Sequence, residues 1–154
     1  MFEVSPSTMD PDAGESMSEW SLSLSPYLHL LGRLLFAALF VTSGINHLTQ
    51  LQGVAGYAQS KGVPAPKAMT VITGVMILVG GAFVALGWQR FIGAGLIFVA
   101  LVPISWMMHA YWKTQDPMMR VNEQAHFKKN VTLAGAALLI AFYAGEPWPL
   151  SLGH

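Results

Sequence analysis

Three histidines stand where apolar runs of the chain stop or start. His47 follows one run, His109 ends another, and His126 precedes a third. Asn46, Tyr111, Trp112 and Asn130 lie beside them in the sequence. His126 and Asn130 are four apart, so a helix carries both on one face. Ser43 precedes His47 by four residues and Ser105 precedes His109 by four, which places a hydroxyl in reach of each imidazole. Imidazoles gathered at one level can bind a metal, hold a haem or hydrogen-bond a quinone carbonyl. A structural zinc site is disfavoured, because there is no cysteine and no close ligand spacing. A haem needs paired imidazoles deep in a bundle, and these lie near run ends. Two readings stay open: interfacial histidines satisfied by water or backbone, or a quinone headgroup at His47, His109, His126, Asn130 and Tyr111, with Trp106 and Trp112 flanking its ring.

The rest of the chain must bring these residues together. Its 154 residues suit one domain. They are 53% hydrophobic and 10% charged, too apolar and too uncharged for a water-soluble fold of this size. Apolar runs cover 28–45, 69–86, 91–108 and 131–144. A span needs roughly 20 apolar residues, with about 17 as a lower limit. The second and third runs reach this unaided. The fourth reaches it if Phe127 to Asn130 continue its helix and Lys128 and Lys129 reach back to headgroups. Backbone groups in lipid must be satisfied within the segment, so each run is expected to be helical. The expected fold is all-α, a four-transmembrane-helix up-and-down bundle over residues 28–146. Residues 1–27 are expected to form a disordered acidic tail, unlike the basic start of a secretory signal, and 147–154 a short C-terminal tail.

The connections agree with short hairpins. Pro64 and Pro66 interrupt one loop, Gly87 to Arg90 make a tight turn, and Asp116-Pro117 punctuates the next loop. Pro103 is expected to bend the third run one turn before His109. Gly80, Gly81, Gly93 and Gly95, with Ala137, Ala141 and Gly145, supply small residues where helices can approach closely.

An even number of spans sends all three histidines to one membrane face. That face also carries Lys61, Lys67, Lys113, Arg120, Lys128 and Lys129, against Arg90 and Arg33 on the other. Positive charge collects in the cytoplasm, so both termini are expected outside it. Arg33 lies inside the first run. An intramembrane arginine either snorkels to headgroups or points into the bundle at a partner, with Glu19, Glu146 or helix-end carbonyls in range and an anion or quinone contact as its functional role. Net charge is zero, giving no reason to expect nucleic acid. The absence of cysteine excludes disulfides, thiolate sites and CxxC redox chemistry in this chain.

Gly32-Arg33-Leu34-Leu35 with Ser43-Gly44 and His47 resembles the opening of the DoxX family of bacterial membrane proteins. So do Gly56-Tyr57 with Gly62-Val63-Pro64-Ala65-Pro66, Gly74 with Gly80-Gly81, His109-Ala110-Tyr111-Trp112, and His126-Phe127-Lys128-Lys129-Asn130. The likeness spans about residues 30–145. In one place it departs: the family pattern has a glutamate three residues before the paired glycines, where this chain has Ile77. The resemblance implies a four-span protein of the bacterial inner membrane, some of whose relatives take part in quinone reduction or oxidative-stress defence. The leading expectation is therefore a redox-associated membrane subunit that contacts quinone or a partner oxidoreductase. A non-catalytic scaffold for partner proteins and a small-molecule carrier with Arg33 in its path stand as alternatives, and a homo-oligomer is left open.

Overall fold

The computed structural model describes residues 11–153; side chains are described from Leu22 onward, and residues 1–10 and 154 lie outside the description. Among these residues every regular element is a helix. Helix α1 covers Pro11–Thr49, α2 Leu51–Ser60, α3 Pro66–Leu86, α4 Arg90–Pro103 and α5 Pro117–Phe142.

Local sequence explains the boundaries. Pro66 opens α3, where its missing N–H costs nothing. Gly87, at φ 66°, closes α3 in the left-handed region. Its N–H donates to the Val84 carbonyl and that of Trp88 to the Phe83 carbonyl, so the chain reverses at once into α4. Asp116 caps α5 by accepting the Met119 N–H at 2.7 Å, with Pro117 at the first helical position. Directly after Pro103 the α-helical pattern gives way to a π-helical turn, Ile104–Met108, and then a 3₁₀ turn, Tyr111–Lys113. Proline removes the N–H that would continue the ladder, and the looser turn re-aims the chain just before His109.

α3 lies in the middle, packed on α1 and on α4, and α5 packs on α4. Small residues make this contact possible. A Cβ on Gly80 would lie 2.7 Å from the Gly93 carbonyl, and one on Gly44 would lie 2.8 Å from the Gly74 carbonyl. The helices therefore meet backbone to backbone. Gly95 and Gly145, also expected at helix contacts, have open space where a Cβ would stand. The core joins Phe40, Ile77, Val84, Ile97, Ala100, Leu101 and Ala137. Many large apolar side chains face outward instead, among them Leu31, Leu35, Phe91, Val99 and Leu139. In water such a surface would drive aggregation; in lipid it is the solvated face.

Among the described residues, three segments are both long and apolar enough to cross a membrane: Leu22–Thr49, Pro66–Leu86 and Arg90–Lys113. α5 is long enough at 26 residues, but Arg120, Glu123, Lys128 and Lys129 occupy its first half. The apolar remainder, residues 131–142, reaches only about 18 Å at 1.5 Å per residue, short of the roughly 30 Å hydrocarbon layer.

Helix α1 begins at Pro11 and runs without a break into the first span. Residues 1–10 of the expected acidic tail lie outside the described residues. The C-terminal segment folds back over the α3–α4 turn, with the Leu152 N–H donating to the Leu86 carbonyl at 2.9 Å.

Candidate functional site

α1, α2, α3 and the turn after α4 converge at one end of the bundle around a cavity of about 230 Å³. His47, Tyr57 and His109 border it. Val54, Met69, Ile104 and Met107 supply apolar walls, while Thr70 and Thr73 spend their hydroxyls on carbonyls of their own helix. The result suits a flat, mostly apolar molecule with a few polar atoms.

Glu123 of α5 organises the wall behind the cavity. It is 3% exposed. The Tyr57 hydroxyl donates to its Oε1 at 2.5 Å, and Lys61 Nζ donates to the same oxygen at 2.6 Å. His109 Nδ1 lies 2.7 Å from Oε2. Tyr57 and Lys61 sit four apart on α2, so one helical face presents both. Burial opposes the charged carboxylate, yet Lys61, Tyr57 and His109 together hold its pKa down to about 2, well below 4.5. Burial lowers the Lys61 pKa, but the bonds to Glu123 and Tyr57 outweigh this and raise it. Burial and the Glu123 bond raise that of the Tyr57 phenol.

These bonds fix which ring nitrogen carries a proton. An ionised carboxylate only accepts, so His109 Nδ1 must donate to Glu123. His47 Nδ1 lies 2.8 Å from the Ser43 carbonyl and must donate as well. A neutral ring in either place then keeps its lone pair on Nε2. His109, bordering the cavity and backed by a carboxylate, is arranged as a proton acceptor whose imidazolium form is stabilised by Glu123.

The residues singled out in the sequence divide into two groups. His47 and His109 border the cavity. His126 stacks on His109 from the other side, ring centroids 5.0 Å apart and planes 18° from parallel, and Asn130 is buried one turn beyond. Neither borders the cavity, and neither do Tyr111 and Trp112. Those two aromatic rings join Trp106 and Phe127 in a separate cluster with centroids 5.1 to 5.6 Å apart. Trp106 and Trp112 thus pack on each other, not on either side of the cavity. The Ser43 and Ser105 hydroxyls do not orient the histidines: His47 uses the Ser43 carbonyl, and Ser105 Oγ donates to the Leu101 carbonyl at 2.6 Å.

Glu123, Tyr57 and Lys61 were not among the sequence candidates. Glu123 stands three residues before His126, and an acid next to a histidine on one helix was the available signal.

Arg33 stands at the far end of the bundle. It is buried, 6% exposed, and points inward. Its Nη1 donates to the Pro149 carbonyl at 3.1 Å and its Nη2 to the Leu150 carbonyl. Its partners are thus carbonyls of the folded-back C-terminal segment. Ile77 lies in the core against Phe40, ten residues and nearly three helical turns from Gly87, beside which Arg33 sits.

The family model that matches this chain is that of DoxX, over residues 28–110. The chain belongs to the DoxX family. The match runs from the first span through His109 and so covers α2 and most of the cavity wall. Inner membrane protein YphA of Escherichia coli (strain K12) is 28% identical over 116 residues, 75% of this chain and 82% of that protein. No solved structure matches. With its apolar helices, the chain is a multi-pass protein of the inner membrane.

Proposed function

We propose that this DoxX protein is a redox-associated membrane subunit that binds a quinol or quinone headgroup in the His47–Tyr57–His109 cavity. The observation that carries the proposal is the His109–Glu123 pair at the wall of an otherwise apolar cavity. A quinol hydroxyl donates to the free Nε2 of His109, and Glu123 stabilises the imidazolium as the proton transfers. In the reverse direction the protonated ring donates to a quinone carbonyl. The two electrons pass to or from a partner oxidoreductase and the second quinol proton to or from bulk water; this chain contributes the pocket and the acceptor of the first proton. Tyr57 is committed to Glu123 and acts by holding the carboxylate. Solvent extraction of the purified protein, followed by an absorbance spectrum of the extract, tests the reading. A quinone band at near one per chain is expected, and an extract without one from membranes rich in quinone counts against it.

The topology proposed with this reading has four spans, with α5 entering the membrane near Phe127 and Lys128 and Lys129 at the headgroups. Both termini then lie outside the cytoplasm and the cavity lies at the cytoplasmic face. One observation favours a partner at that face: Lys113, Arg120, Lys128 and Lys129 are all exposed there. A docking protein held by these charges would weaken with salt.

A further inference from the structure

A second cavity, of about 550 Å³, lies at the opposite end of the bundle between α1 and α5. Phe36, Leu139, Ile140 and Trp148 give it apolar walls. His29 and Arg33 border it, and within them His29 Nδ1 and Arg33 Nε are buried without a hydrogen-bond partner. Arg33 already uses Nη1 and Nη2 on neutral carbonyls, and among the described residues no carboxylate pairs with it. A buried guanidinium without a counter-charge is costly, and a bound anion removes the cost. Arg90 adds positive charge nearby, its guanidinium 5.2 Å from the Trp148 ring centre. Glu146 at the rim disfavours a multiply charged ligand.

Depth and shape narrow the ligand. Arg33 sits beside Gly87 in the α3–α4 turn, at the membrane boundary where lipid headgroups lie. Deeper along α5, Leu139 on the cavity border is more than half exposed, so the cavity opens to the surrounding lipid. We infer that this cavity binds the monoanionic headgroup of an acyl-chain amphiphile, a fatty carboxylate or a phosphodiester lipid. The charge of Arg33, which has no carboxylate partner among the described residues, attracts the headgroup to its side of the cavity, and the chain lies between α1 and α5. The site is separate from the histidine cavity and does not depend on the quinone reading.

The test is tritiated palmitate binding to the full chain in nanodiscs of zwitterionic phosphatidylcholine. Saturable binding is expected, at least tenfold weaker in Arg33→Gln and in Leu139→Trp, whose indole fills the cavity while leaving Arg33 intact. Thermal melts show which variants are folded, and Leu139→Trp decides if Arg33→Gln is not. Unlabelled phosphatidylglycerol that displaces palmitate at lower concentration than palmitic acid itself identifies the phosphodiester as the preferred source; the reverse order identifies the carboxylate. Absence of saturable binding, unchanged binding in folded Leu139→Trp, or displacement by acetate as readily as by either lipid would overturn the proposal.

Discussion

Glu123 carries the most chemistry of any single residue. Its carboxyl titrates near 4.5 when unfolded and near 2 when folded. Above 4.5 both states are ionised and the full stabilisation is present. As pH falls from about 4.5 to about 2 the unfolded chain takes up the proton first, and stability declines, by a total on the order of 3 kcal/mol. Glu123→Gln should remove this part of the pH profile and lower stability at neutral pH by about 2 kcal/mol, since Lys61 and His109 lose their acceptor. Melting of detergent-solubilised parent and variant between pH 3 and 7 reads both effects. Arg33 is held differently, by carbonyls and not by an acid. Arg33→Leu strands the Pro149 and Leu150 carbonyls and is expected to cost about 2 kcal/mol, with the C-terminal segment becoming accessible to carboxypeptidase. A melt and a protease time course indistinguishable from the parent would mean those bonds contribute nothing.

Among the elements, α3 is the most constrained, because its glycines let two neighbours approach to backbone contact. Gly80→Val places a branched side chain where a Cβ alone would lie 2.7 Å from a carbonyl. It should destabilise by roughly 1–3 kcal/mol or more, whereas Gly95→Val, facing open space, should be mild. Paired melts of these two variants check the α3–α4 packing. Hydropathy made the three apolar helices legible, and Gly and Pro marked their ends, because lipid forces both composition and helicity. α2 was not legible as a helix: it is short and of mixed polarity, and its stability comes from packing Ala55 and Ala58 inward. The helical stretch from Pro11 was hidden by a composition of serines and acids that also suits a disordered tail. At the site, the common level of His47 and His109 followed from span counting alone. The role of Glu123 did not, because its partners Tyr57 and His109 are 66 and 14 residues away and meet only through the fold.

For the whole molecule, the two ends of the bundle differ in character. One gathers His47, His109, His126, Glu123 and most of the lysines; the other holds Arg33 and His29 under the C-terminal segment. From the lysine and arginine asymmetry we propose that the first end faces the cytoplasm. Single cysteines at Ser16 and Thr114 test this with an impermeant thiol reagent on intact spheroplasts. Labelling at 16 but not at 114 is expected, and the opposite pattern would invert the topology.

The central claim is that His109, backed by Glu123, is the group that meets a quinol in the cavity. The direct measurement is equilibrium binding of a short-chain quinol analogue to the purified parent, His109→Ala and His126→Ala. The parent should bind saturably, His109→Ala should lose at least tenfold in affinity while remaining folded, and His126→Ala, which stacks behind His109 without bordering the cavity, should lose much less. Charge reversal at Lys113 and Arg120 should leave the affinity unchanged. A parent that does not bind the analogue, or a folded His109→Ala that binds it as tightly as the parent, would contradict the claim.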